Sequence, residues 1–202
     1  MIYFKTIRDI ESNCSNLLYL PLNIIWMKKR IILNKEKIDS IIKRLAHEVI
    51  EKNTNLDDIY LIGIKSRGDL IANKIADEIY SLVGKKISCG YVDVTFYRDD
   101  FLTNIGSHKI GPSKINLDIS KYNVILVDDV LFTGRTIKAA LDEIFSFGRP
   151  IAVQLAVLVD RGNRQLPIKA NFIGKNIPSS LNEHVHVCMK DYDENDEVFI
   201  VE

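Results

Sequence analysis

Apolar runs alternate with apolar positions at helical spacing along this chain, from about residue 31 to residue 173. Val124-Ile125-Leu126-Val127 and Ile59-Tyr60-Leu61-Ile62-Gly63-Ile64 lack a solvent side, so each predicts a strand covered on both faces. Ile151 to Val159 is a third such run and Phe172-Ile173 a shorter one. Tyr91 to Tyr97 alternates and is rich in β-formers, and Ile31-Ile32-Leu33 predicts a short opening strand. Lys35 to Asn53 carries Ile38, Ile41, Ile42, Leu45 and Val49 on one helical face. Asp69 to Leu82 does the same with Ile71, Ile75, Ile79 and Leu82, closed by Gly84. Thr136 to Phe147 predicts a further helix, ended by Gly148 and Pro150. This alternation implies an α/β fold: a parallel twisted sheet flanked by helices, with ligands at the carboxyl ends of the strands. Val198 to Val201 reads as an edge strand. It follows an acidic tail (Asp191, Asp193, Glu194, Asp196, Glu197) that reads as a solvated turn.

With 202 residues and 47% hydrophobic content, the chain suffices for one domain with a substantial core. The formal net charge is zero, so no general grip on nucleic acid or an anionic membrane is built in. Any RNA contact must come from a local basic patch. Cys14, Cys89 and Cys188 are odd in number and far apart, which speaks against a disulfide framework or zinc knuckle and fits a reducing compartment. The apolar stretch Leu17 to Trp26 is broken by Pro21 and Asn23 and too short to span a bilayer. It also follows an acidic segment, unlike a signal peptide. Met27 then opens a basic, apolar start. The expectation is one domain over residues 27–202, preceded by residues 1–26 as an upstream translation-start extension or dispensable arm.

Chemistry concentrates in one string, Val124-Ile125-Leu126-Val127-Asp128-Asp129-Val130-Leu131-Phe132-Thr133-Gly134-Arg135-Thr136. Two carboxylates stand where the strand is expected to leave the sheet, and a small-residue turn then opens a helix. Backbone N–H groups at such a helix start favour an anion. The acids suit hydroxyl groups, or a metal bridging to them. A phosphorylated sugar satisfies both halves. The string lacks the lysine of a Walker loop and the three glycines of a dinucleotide fingerprint. It resembles the phosphoribosyl-pyrophosphate signature of type I phosphoribosyltransferases.

Other segments fall on the same predicted edge. Lys65-Ser66-Arg67-Gly68 follows a strand and enters a helix, offering a hydroxyl and a forked cation suited to a diphosphate. Tyr97-Arg98-Asp99-Asp100 ends the next strand. Phe101 to Ile115 has no period and reads as a lid, which would keep water from a glycosyl-cation-like intermediate. Asp160-Arg161-Gly162-Asn163-Arg164 ends the strand from Ile151, and Gly174-Lys175-Asn176 follows the last short one.

Taken in order from about Met27 onward, these segments, together with Gly148-Arg149-Pro150, Leu166-Pro167-Ile168 and Gly174-Lys175-Asn176-Ile177-Pro178, look like the bifunctional pyrimidine operon regulators with uracil phosphoribosyltransferase activity. The resemblance implies a sheet with a small hood and a flexible lid. It implies conversion of uracil and phosphoribosyl pyrophosphate to UMP and pyrophosphate with Mg2+. It also implies binding of leader mRNA in the UMP-bound state, a cytoplasmic protein and a homodimer or homotetramer.

Carried over residue by residue, Asp128 and Asp129 would bind the ribose hydroxyls, partly through magnesium. Val130, Leu131, Phe132, Thr133, Gly134, Arg135 and Thr136 would wrap the 5′-phosphate. Ser66, Arg67 and Arg98 would address the pyrophosphate, and Arg161 and Val185 would lie near the base. Phe132 stands where purine enzymes commonly carry Asp, which disfavours hypoxanthine or guanine. Ser66 replaces the common Thr, and Asn163 the common His. For RNA the candidates are Lys43, Arg44, His47 and Lys52 on the first helix, with Arg164, Lys169 and Lys175 later. His184 and His186 could share a strand face, but without a third ligand they do not make a metal site. Two competing functions remain: a nucleotide-sensing regulator with little turnover, and a salvage enzyme without RNA binding.

Overall fold

The computed structural model describes residues 29–94 and 112–201. Arg98, Asp99, Asp100, the N-terminal extension and most of the expected lid lie outside these residues. Strand β1 (Arg30–Leu33) leads into α1 (Lys35–Lys52), whose start is fixed by Asn34: its side chain accepts from the Lys37 N–H. Next come β2 (Ile59–Ile64), α2 (Gly68–Val83), β3 (Ser88–Val92) and β4 (Asn123–Leu131). Then follow α3 (Arg135–Phe147), β5 (Ala152–Asp160), β6 (Phe172–Asn176), β7 (His184–Cys188) and β8 (Glu197–Val201).

Five strands form a parallel sheet in the order β3-β2-β4-β5-β6. Its two faces follow from the two-residue period of a strand. Leu61, Ile125, Val127 and Leu158 pack with Ile38, Leu45, Ile71 and Ile75 of α1 and α2. Ile62, Val124, Leu126 and Val157 pack with Ile137, Ala140 and Ile144 of α3. Helix α2 therefore leaves β2 toward one face while α3 leaves the adjacent β4 toward the other. That divergence opens a crevice at the carboxyl ends of β2 and β4, where such sheets bind ligands.

A second, antiparallel sheet has the order β1-β8-β7. Val187, Met189, Val198 and Ile200 join the core of α1 and α2, so this hood is packed onto the parallel domain. Strand β8 is its middle strand, not an edge. Its sequence, Glu197-Val198-Phe199-Ile200-Val201, is apolar enough for that central place. The acidic tail is not a solvated turn throughout. The side chains of Asp193 and Asp196 are only 6% and 4% exposed, in ion pairs with Arg67 and Lys74.

Two strands run further than their apolar cores suggest. Strand β4 continues through both acids, pairing Asp128 with Val157 and Leu131 with Asp160. The carboxylates therefore belong to the strand's last paired residues and not to a loop beyond it. Strand β6 includes Gly174, Lys175 and Asn176, which do not form a loop after it. His184 and His186 do share a face, 6.4 Å apart, and His186 stacks on Phe199. Among the described residues no group of three side chains could ligate a metal, and no helix is long and apolar enough to cross a membrane.

Candidate active site

The turn after β2 lies directly on the backbone of β4. A Cβ on Gly68 would stand 2.4 Å from the Val127 carbonyl oxygen and 3.1 Å from the Asp128 Cα, so only glycine lets the two segments touch. The Lys65–Ser66 peptide bond is cis. The Lys65 N–H donates to the Val92 carbonyl of β3 at 3.0 Å, and its ammonium sits 4.2 Å from the Tyr91 ring centre. The next residues start α2, where Arg67 occupies the cap position without a capping bond of its own and the Asp69 carboxylate in the first turn accepts the Leu70 N–H at 3.0 Å.

Arg67 turns toward the hood. Its Nε and Nη2 donate to the two carboxylate oxygens of Asp193 at 3.1 and 3.0 Å. Asp69, one position into α2, accepts from the Tyr192 hydroxyl at 3.4 Å. Burial raises the Asp69 carboxyl above its ordinary pKa, against the opposing pull of these hydrogen bonds.

The turn after β4 presents the other half. Asp128 is 5% exposed and accepts the Asp129 N–H at 3.0 Å, while Asp129 accepts the Val130 N–H at 2.8 Å. Thr133 is buried, and its hydroxyl accepts the Arg135 N–H at 3.3 Å. Gly134 caps α3 at φ 95°, and a side chain there would press on Ile168 and Leu166. The Thr133 hydroxyl thus serves the first amide of α3, whose cap residue Gly134 has no side chain and whose first turn carries no acid to offset the positive end of the helix dipole.

A buttress behind this turn comes from the loop after β5. Arg164 donates through Nη1 to the carbonyls of Leu131, Phe132 and Gly162, and through Nε to Ile168. Its Nη2 pairs with Asp160. The Thr133 carbonyl accepts the N–H groups of Gln165 and Leu166 at 3.0 and 3.1 Å. The Arg164 guanidinium is therefore committed to the turn. Replacing Arg164 with Ala should cost about 2 kcal/mol of stability, because three turn carbonyls and Asp160 lose their partner. Chemical denaturation would measure this.

Arg161 is 5% exposed and holds the segment leading to the hood. It donates to the Ser179 hydroxyl and to the carbonyls of Ser180 and Glu183 at 2.7–3.0 Å. Its guanidinium lies 3.9 Å from the Phe132 ring centre, and burial lowers its pKa. Asn163 adopts a left-handed φ of 56° and donates to the Ser179 carbonyl at 2.7 Å. Val185 lies on β7, half-buried against the shared core.

The remaining basic candidates sit on α1, on β6 and just before it, and Arg44 reaches across to donate to the Ile173 and Gly174 carbonyls of β6, beside Lys175. Lys43, Arg44, His47 and Lys52 are all exposed on α1. Lys175 follows the alternation of Ile173, onto the face of α3, and Lys169 borders an apolar groove with Ile137 and Leu141 of α3. A cavity of about 660 Å³ lined by Tyr60, Asn73, Asp77, Lys86, Cys89 and Asn116 sits at the start of β3. That is the opposite edge of the sheet from the two turns, and it lacks their paired carboxylates and helix starts. Asp193, Asp160 and Ser179 support the site without having been singled out in the sequence.

The family model described as phosphoribosyl transferase domain matches residues 30–192. The chain is 46% identical over 176 residues to the bifunctional protein PyrR of Bacillus mycoides (strain KBAB4), covering 86% of this chain and 97% of that protein. It is 45% identical over 174 residues to the protein of that name in Thermoanaerobacter sp. (strain X514), covering 86% and 98%. Among solved structures, a hypoxanthine-guanine phosphoribosyltransferase of Bacillus anthracis superposes with a TM-score of 0.63 at 19% identity, covering 88% of this chain and all of that one. The hypoxanthine phosphoribosyltransferase of Trypanosoma cruzi gives 0.66 at 18%, covering 86% and 96%. At such identities the structures speak for the fold alone.

Proposed function

The chain belongs to the phosphoribosyl transferase domain family and, within it, to the proteins named bifunctional protein PyrR; from that premise we propose its substrates and its regulatory role. It is a phosphoribosyltransferase-type enzyme. In our reading it converts uracil and phosphoribosyl pyrophosphate to UMP and pyrophosphate. It also binds pyrimidine leader mRNA when UMP is bound, and so promotes attenuation. The cytoplasm and a homodimer or homotetramer belong to the same reading.

One observation carries the catalytic half: two helices start at the carboxyl ends of adjacent parallel strands, and the acid pair stands at the end of one of those strands. The α3 turn, from Leu131 to Thr136, receives the 5′-phosphate. The acids receive the ribose hydroxyls. The Lys65–Gly68 turn, with Ser66 and Arg67, takes the diphosphate together with Arg98. At the anomeric carbon, the bond to the diphosphate oxygen breaks as the bond to the uracil nitrogen forms, and the proton on that nitrogen is released to the departing pyrophosphate or to solvent. The protein contributes by positioning and by stabilising the departing charge.

Adjacent hard carboxylates, without a third side-chain ligand among the described residues, suit magnesium, which keeps waters and shares its shell with phosphate oxygens. Asp128 and Asp129 would hold it, and when bound it neutralises charge on the diphosphate. Phe132, whose ring is covered by Arg161, offers no acceptor to a purine ring and favours the smaller base.

The test mixes the purified chain with labelled uracil, phosphoribosyl pyrophosphate and magnesium. Magnesium-dependent UMP is the expected product. A gel shift with leader RNA should then tighten when UMP is added. No UMP, with RNA binding retained, would make the chain a nucleotide-sensing regulator. UMP without RNA binding would make it a salvage enzyme.

A further inference from the structure

The hood is tied to the start of α2 by three links. Arg67 pairs through both Nε and Nη2 with Asp193, Tyr192 reaches Asp69, and Lys74 lies 3.6 Å from Asp196. Asp193 is the best fixed of these groups. Its Oδ2 also accepts the Met189 N–H at 2.8 Å, and its own N–H donates to the Met189 carbonyl at 2.7 Å. Met189 is fully buried in the core, so the carboxylate is held by a rigid base.

The placement has an electrostatic purpose. A cation at a helix start opposes the dipole of that helix, so Arg67 alone would swing away from α2. A fixed carboxylate reverses that preference and clamps the guanidinium in a bidentate pair. The peptide groups of Ser66, Arg67 and Gly68 are thereby held beside the Asp128 backbone, against which Gly68 is packed.

We propose that Asp193 is a positioning residue for transfer. By gripping Arg67 it fixes the diphosphate turn against the hood, so that the hood and the donor subsite act as one unit. This rests on the phosphoribosyl-transfer reading above. Asp193 touches no reacting atom.

The experiment measures calorimetric binding of phosphoribosyl pyrophosphate with magnesium, together with KM and kcat, for the wild type and Asp193→Asn. Asparagine keeps an acceptor for the Met189 N–H but loses the charge. The expected result is donor binding and KM weakened about tenfold or more, with kcat and the uracil KM changed far less. Asp193→Glu should restore part of the donor affinity. Lys74→Ala, which breaks a link farther along α2, should lower stability and leave the donor KM alone.

If Asp193→Asn does not fold, Arg67→Lys breaks the same bidentate grip from the other side and should show the same selective loss. Donor affinity within about twofold of wild type in a folded Asp193→Asn or Arg67→Lys protein overturns the proposal. A wild type that binds no donor at all removes the functional reading, and the proposal with it.

Discussion

Asp129→Asn should lower the rate of UMP formation by about 10²- to 10³-fold, the loss expected when a charged group that steadies a transition state is neutralised. The substitution is nearly isosteric. Its carbonyl oxygen still accepts the Val130 N–H, the bond the Asp129 side chain makes among the described residues, so β4 should keep its pairing with β5. Loss of charge is then separable from loss of structure. Steady-state kinetics and a melting curve within about 2 °C of wild type would establish that separation. Full activity in a folded Asp129→Asn protein would remove the acid pair from the chemistry.

Gly68→Ala should be severely damaging. The added carbon would stand 2.4 Å from the Val127 carbonyl and 3.1 Å from the Asp128 Cα, and neither can move without breaking the central strand pair. Relief requires lifting the diphosphate turn off β4. The expected cost is about 3 kcal/mol, or roughly 6–12 °C of melting temperature for a domain of this size. Donor binding should be lost even in the fraction that folds. A protein with wild-type stability and donor affinity would mean the turn does not rest on β4 as described.

Much of this was legible because buried parallel strands and amphipathic helices leave strong periodic signals. Ile59–Ile64 is bounded as its apolar run predicts, and α1 begins and ends within a residue of the expected span. The end of β4 was obscured for a physical reason. Two acids interrupt the apolar run, yet their backbone groups still pair with β5, because a ladder needs no particular side chain. The hood was harder. Val198 to Val201 reads as an edge strand, and only the pairing of β1 from the far end of the sequence makes it central.

Long-range ion pairs carry no local pattern at all. Arg67 and Asp193 are 126 residues apart, so the acidic tail resembled any solvated turn. The same holds for Arg164, whose guanidinium serves the carbonyls of a turn some thirty residues earlier, a contact no local pattern announces.

That guanidinium also decides which way the amides of the α3 turn look. The only cis bond among the described residues is Lys65–Ser66, and across a trans peptide plane the N–H points opposite to the C=O. With the carbonyls of Leu131 and Phe132 drawn back to Arg164 and that of Thr133 drawn to Gln165 and Leu166, the following three amide hydrogens are aimed forward together. For the phosphate role proposed above, the receptacle is thus cast before its guest arrives: closing on an oxyanion would demand no peptide flip, and little ordering entropy would remain to be lost at the moment of capture.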